Sequence, residues 1–291
     1  MIPLMLLGVA MSGRMGADAL SIKMILPGIF MYGLLSIAFI WLGVGSCMCK
    51  RWARSLCLLL SSFWLGCGSI GMVSTLMIMP KVLAHPPANV QSGNVPPGFL
   101  TVVMAISTFI NFIIFVAVPA VLVLFYKSPH VKATCEERDP KTRWTDLIPL
   151  PRLGLAVMLG FSALGFPLTM FGYNWVMPVF GAHLSGIPSL AIVAVLSIAF
   201  GFSAVSAFKG KIIGWYTAIG LYLLSSSSYA VTIARVGMLK LYEEMGFPPS
   251  QIERFREMGT FEGPGFWIMM ALCSIPFIVF LVFSRKYFDE K

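Results

Sequence analysis

Seven stretches of 19 to 28 residues, at about 25–48, 53–79, 99–126, 153–171, 189–208, 212–234 and 265–283, carry no Asp, Glu, Lys or Arg in their interiors. About 20 apolar residues wound into a helix, rising roughly 1.5 Å per residue, match the hydrocarbon thickness of a bilayer. Such a chain has few places to put its surface other than lipid. Composition agrees, with 58% hydrophobic residues, 11% charged and a mean hydropathy of +0.86, where a soluble domain would carry about a quarter charged residues. The expected fold is all-α: a polytopic integral membrane helical bundle of about seven transmembrane helices, forming a single membrane domain over residues 1–291.

The breaks between spans are equally informative. Lys50, Arg51 and Arg54 around Trp52 leave room only for a tight turn, so the first two spans are antiparallel neighbours. Pro80 and the four prolines of residues 86–97 close the second. Pro119 predicts a kink in the third span. Pro149 with Pro151 should hold off helix until the fourth begins near Leu153, and Pro167 should bend or end it. In the polar stretch 235–264, GMLKLYEEM and SQIERFREM read as two short helices. The first is stopped by Gly246 and the second opened by Ser250 and Glu253 as a capping box. Residues 172–188 carry no formal charge and place Tyr173 and Trp175 at headgroup level.

The net charge of +9 does not point to nucleic acid, because the bases stand in small groups at span ends, beside lipid headgroups. With the Lys50 turn on the inside, inner segments carry 14 Lys and Arg and outer segments 7. That asymmetry predicts an outer amino terminus and a cytoplasmic carboxyl terminus; residence in the cell (inner) membrane is the expectation from how common such proteins are there, since other membranes share the asymmetry. Ile2–Met11 is too short to span, has no basic residue ahead of it as a signal peptide would, and should lie in the interface or pack against a later helix. The six cysteines form no CxxC, and none falls in an outer loop, so disulfides are not expected.

LSIAF occurs at Leu35–Phe39 and again at Leu196–Phe200, and Pro-Gly-Phe precedes both the third and the seventh spans. This pattern suggests two parallel three-helix repeats, residues 25–126 and 189–287, joined by a connector helix at 153–171. Chance sharing of pentamers among apolar sequences is the competing explanation.

The absence of ionisable groups at membrane depth argues against a proton-coupled pump. Two sets of residues stand out instead. Asn111 with Ser225, Ser226, Ser227, Ser228 and Tyr229 could form a polar lining, although serines in helices commonly bond back to the preceding turn. Lys132, Glu136, Glu137, Arg138, Asp139, Arg143 and Trp144 give the long inner loop, 127–152, a mixed-charge surface suited to a binding partner. On the outer side His85, Asn89, Gln91, Asn94, Tyr173, Asn174 and His183 could converge with Glu243, Glu244, Glu253 and Glu257. Two histidines are few for a zinc enzyme, so solvent-facing capped helices are the expectation there. His130 and Cys135, five apart, would not share a helix face as a catalytic pair.

No catalytic residue, metal ligand or cofactor is therefore expected. The sequence points to a non-catalytic structural or accessory subunit whose partners are the lipid bilayer and other membrane subunits or further copies of itself, with no nucleic acid. The alternative is a small transporter or channel for a neutral or hydrophobic substrate, along a cavity lined by Asn111 and Ser225–Ser228.

Overall fold

The computed structural model describes residues 22–84, 98–257, 259, 261 and 263–288. The expected interfacial run Ile2–Met11 and the outer-loop residues His85, Asn89, Gln91 and Asn94 lie outside the described residues. Among those described, the order is α1 (Ile22–Cys47), α2 (Arg51–Ala84), α3 (Phe99–Phe112), a π-helical segment (Ile113–Ala117), α4 (Val118–Lys127), α5 (Pro129–Arg138), α6 (Trp144–Leu147), α7 (Leu150–Gly172), β1 (Met177–Val179), β2 (Ala182–Leu184), α8 (Gly186–Phe208), α9 (Ile212–Val236), α10 (Met238–Glu244), α11 (Pro249–Glu257), α12 (Pro264–Ser284) and a 3₁₀ turn at Arg285–Tyr287.

Among the described residues, seven segments are long and apolar enough to cross a membrane: Ile25–Cys47, Arg51–Pro80, Thr101–Lys127, Leu150–Gly172, Gly186–Phe208, Ile212–Val236 and Pro264–Tyr287. The protein is thus a nearly all-helical bundle of multi-pass membrane type, as the lengths of the apolar stretches require.

Four local expectations need correction. Pro80 does not close the second span; it lies inside α2, which runs on to Ala84. Pro151 sits in the first turn of α7, with Pro149 as its N-cap, because the first-turn amides have no intrahelical acceptor and proline loses nothing there. Pro167 lies inside α7, which continues to Gly172. Ser250 does not cap α11; the helix already begins at Pro249, and the Pro248 carbonyl accepts its first hydrogen bonds from Gln251 and Ile252.

The chain divides into two compact units. One gathers α1 up to Trp41, Ile148–Phe255 and the residues from Phe280 on; the other holds Leu42–Leu147 and Arg256–Val279.

In the first unit α7 and α8 pack antiparallel through small residues. A Cβ on Gly160 would sit 3.9 Å from that of Ala204, and one on Gly201 4.0 Å from that of Ala163, the close approach that lets helices attract in lipid by dispersion alone. The α8–α9 turn closes with a left-handed Gly210 (φ 78°) and the paired bonds Gly210 N–H to Ala207 O and Lys211 N–H to Ser206 O, a Schellman ending. Gly214 lies so close to the Ser206–Ala207 backbone that a Cβ would overlap it. Ser203 is fully buried and donates to Gly214 O at 3.0 Å, with Thr217 Oγ1 2.6 Å away. From the last span, Leu281 O accepts the indole N–H of Trp215 at 2.8 Å, and Arg285 lies 5.5 Å over that ring.

In the second unit α2 runs beside the composite third span. Pro119 has no amide hydrogen to return to the Phe115 carbonyl, and the helix widens into its π segment just before it. The expected kink is taken up in this way. That carbonyl lies against Gly68, where a Cβ would collide with it. Trp64 meets Phe115 edge-on, 6.4 Å between ring centres.

Candidate functional site

The segment 172–188, expected only to lie among headgroups, folds into a small hairpin. Val179 pairs with Ala182 and Met177 with Leu184, and the two turn residues Phe180 (φ 42°) and Gly181 (φ 97°) are both left-handed, as a two-residue type I′ turn demands. Its sequence alone offers no Asn-Gly or Asp-Gly signal. What holds the hairpin is α9. Phe180 N–H donates to Ser228 Oγ (3.1 Å), Ser228 Oγ donates to Pro178 O (3.1 Å), and Gly181 N–H donates to Thr232 Oγ1 (2.9 Å).

The serine run therefore divides by face. Ser228 is buried and fastens the hairpin. Ser227 is exposed and donates back to Leu224 O at 3.1 Å. Ser225 and Ser226 are half-buried, make no side-chain hydrogen bond among the described residues, and line a cavity of about 430 Å³ walled by Phe166, Met170, Met177, Phe180, Ile192 and Leu196, with Ser228 and Tyr229. The Tyr229 hydroxyl points to Met238 Sδ at 3.4 Å. The volume falls in the range of small-molecule sites, and the walls are apolar with a few hydroxyls.

Beside this cavity the segments 172–188 and 235–264 meet. Val176, Leu241 and Met245 form a buried cluster, with Tyr173, Tyr242 and Phe247 packed around it. Tyr173 stacks on Phe247 (5.9 Å, 15°), and Asn174 donates to Met245 O at 3.2 Å. Gly246 ends α10 with φ 87° and the bonds Gly246 N–H to Glu243 O and Phe247 N–H to Tyr242 O. Burial pushes the Tyr242 phenol up to about 12, helped by the neighbouring Tyr229 and Tyr173, so it stays a neutral hydroxyl throughout the ordinary pH range.

His183 on β2 is 4% exposed, with Nδ1 2.9 Å from Glu244 Oε2. The contact is an ion pair by distance; neither ring nitrogen makes an aligned hydrogen bond among the described residues. Glu243, Glu253 and Glu257 are exposed, and no group of three metal-ligating side chains occurs among the described residues.

Asn111 belongs to the other unit. It is exposed on α3, donates to Ser107 O at 2.8 Å, and its carboxamide oxygen has no partner among the described residues. It lines a groove of about 290 Å³ with Trp64, Gly68, Gly71, Thr75 and Phe115. Nearby hydroxyls turn inward on their own helix: Thr75 donates to Gly71 O and Ser69 to Leu65 O.

The long loop is built of α5 and α6. Lys132 pairs with Glu136 at 3.9 Å along α5. The Asp139 carboxylate is buried and takes two bonds from the Arg143 guanidinium (3.1 and 3.3 Å), which hold its carboxyl below the usual range. Asp146 accepts the Arg143 N–H at 3.0 Å, capping the single turn of α6, and lies 3.9 Å from Arg51. Glu137, Arg138 and Trp144 are exposed. Burial, with Cys49 and nearby carboxylates adding to it, pushes the Cys135 thiol up, away from the thiolate a nucleophile would need.

Comparison of the chain with protein-family models, curated proteins and solved structures finds no match.

Proposed function

We propose that this protein is a non-catalytic structural or accessory subunit of a membrane assembly. The supporting observation is Asn111 in its setting. Only 6% of the most apolar stretch of Thr101–Lys127 is buried by the chain itself, yet this span presents a carboxamide with an unpaired oxygen. A polar amide left to hydrocarbon costs about 1–3 kcal/mol, and a facing helix that hydrogen-bonds to it removes that cost. Gly71, in the same groove, meets nothing within 4 Å of an added Cβ, so another helix backbone could come close. The occupant is another membrane subunit or a second copy of this chain. The orientation with an outer amino terminus, a cytoplasmic 127–152 loop and residence in a cell (inner) membrane belongs to the same proposal; the orientation rests on the distribution of Lys and Arg.

The test is gentle purification with lipid followed by intact-complex mass spectrometry, alongside a photo-crosslinking residue at 111. Reproducible crosslinks to a second polypeptide or copy are expected. A lone chain with no crosslink at 111 would sink the proposal.

The cavity of about 430 Å³ beside Ser225 and Ser226 favours one second reading: a carrier for a small neutral or hydrophobic molecule. Co-purification of such a molecule, abolished by Ser226→Phe, would support it over the first.

A further inference from the structure

A second cavity, of about 280 Å³, lies in the Leu42–Leu147 unit where three spans end. Cys47 ends α1, Arg51 opens α2 and Lys127 ends α4, so its depth is that of lipid headgroups. Its ionisable nitrogen-bearing lining residues are Lys50, Arg54 and His130, with no Asp or Glu among the lining residues. Three other bases nearby have carboxylate partners. Arg51 is 3.9 Å from Asp146, Arg143 holds Asp139, and Lys132 faces Glu136. Lys50 forms no ion pair within 4.0 Å among the described residues, although the Asp139 carboxylate, already held by Arg143, is near enough to feel its charge. Arg54 donates its Nε to Tyr126 O at 3.2 Å, and its two terminal nitrogens have no other acceptor there. Both cations are only partly exposed.

Hydroxyls and apolar rings complete the cavity. Ser46 Oγ and the Tyr126 hydroxyl are 2.6 Å apart, and Phe125 and Val131 line one wall. The turn carrying Lys50 is fixed by a left-handed Cys49 (φ 51°), with Cys49 N–H bonded to Ser46 O and Lys50 N–H to Gly45 O at 2.9 Å. A non-glycine residue is rarely held in this conformation, and the turn brings Lys50 to the cavity wall one helical turn before Arg54. Unmatched fork and ammonium groups, in a half-covered site with donor hydroxyls, have the chemistry that binds a phosphate oxyanion.

We propose that Lys50, Arg54 and His130 form a binding site for a phosphate monoanion or diester, of the kind carried by anionic phospholipid headgroups.

The test uses the full chain in detergent, titrated with phosphatidylglycerol, phosphatidylcholine or inorganic phosphate, and read by native mass spectrometry and by melting temperature. Preferential retention of phosphatidylglycerol, undisturbed by millimolar inorganic phosphate, would assign the lipid. Displacement by inorganic phosphate, with a phosphate-dependent rise in melting temperature, would assign the free oxyanion. Lys50→Gln, whose side chain makes no hydrogen bond among the described residues, should weaken binding about fivefold, and adding Arg54→Gln should multiply the loss by about the same factor. Lys132→Gln, with its partner Glu136 outside the cavity, should leave binding unchanged. Equal retention of both lipids with no response to phosphate, or unchanged binding in a folded Lys50→Gln chain, would overturn the proposal.

Discussion

The spans from Leu150 to Val236 and those around them solve the membrane problem differently. In Leu150–Gly172, Gly186–Phe208 and Ile212–Val236, 28–33% of the most apolar stretch is buried by the chain itself; in Ile25–Cys47, Arg51–Pro80, Thr101–Lys127 and Pro264–Tyr287 the share is 6–11%. Hydropathy does not account for this, since Arg51–Pro80 and Leu150–Gly172 are equally apolar and yet 11% and 33% buried. What differs is where hydroxyls and small residues find partners. Ser203 and Ser228 donate to other elements and Thr232 accepts from one, though Ser162 and Thr169 on α7 bond back; in the other group Ser62, Ser69 and Thr75 bond back to their own helix, and Ser46 at the end of α1 reaches Tyr126. Interhelical packing in lipid rests on such contacts, so the first group is held by this chain and the second is left to lipid or a partner.

The sharpest way to break the comparison is to open the tightly held side. Leu241→Ala removes a side chain with no exposed surface from the Val176–Met245 cluster and should cost about 2–5 kcal/mol in denaturant unfolding. A value below about 1 kcal/mol would mean that the α10 docking is not a structural core. Gly214→Ala comes next, at about 1–3 kcal/mol, since its methyl has only the α8 backbone to meet. Its counterpart Gly71→Ala, in open space, should be neutral or stabilise by up to about 1 kcal/mol through helix propensity. Equal effects at the two glycines would erase the distinction between the groups of spans.

Ser228→Ala should cost about 1–3 kcal/mol, because it strands the Phe180 N–H and the Pro178 carbonyl. Hydrogen exchange should locate the loss at residues 177–184. Asn111→Leu should move the chain's own stability by less than about 0.5 kcal/mol while reducing recovery of a bound subunit, which the melting curve and mass spectrum read separately.

The smallest effect concerns pH. Asp139 has its carboxyl lowered in the folded loop, chiefly by the Arg143 hydrogen bonds. The folded loop therefore binds its proton less readily than the unfolded chain, and this contribution is present in full above the ordinary value of 3.8. It is lost as pH falls from there through the lower folded value. Proteolysis within 127–152 should accelerate over that acid range in the parent chain, and Asp139→Asn should remove the acceleration.

The span boundaries were legible because hydropathy is a local property: Lys50, Lys127 and the Lys209–Lys211 turn each end an apolar run, and the helices end there. The two short helices of 235–264 were legible for the same reason, Gly246 marking the stop. The hairpin was not. Met177–Leu184 contains no strong turn pair, and its stabilising partners, Ser228 and Thr232, lie about fifty residues away. The serine run was visible as a polar feature, but four consecutive residues point in four directions on a helix, and only the neighbours of each face decide its role. Ser228 is a fastener, Ser227 a back-bonded surface group, and Ser225 and Ser226 wall a cavity.

The sequence by itself determined that this chain must lie in a membrane as helices, and where each helix must turn, because chain length and transfer free energy act residue by residue. Only the tertiary structure decided which faces are covered, that His183 meets Glu244, and that Lys50 and Arg54 line one cavity with no carboxylate in its wall. Those facts depend on approaches between distant segments, set by packing and by backbone geometry at Cys49, Gly181 and Gly214, which no local pattern encodes.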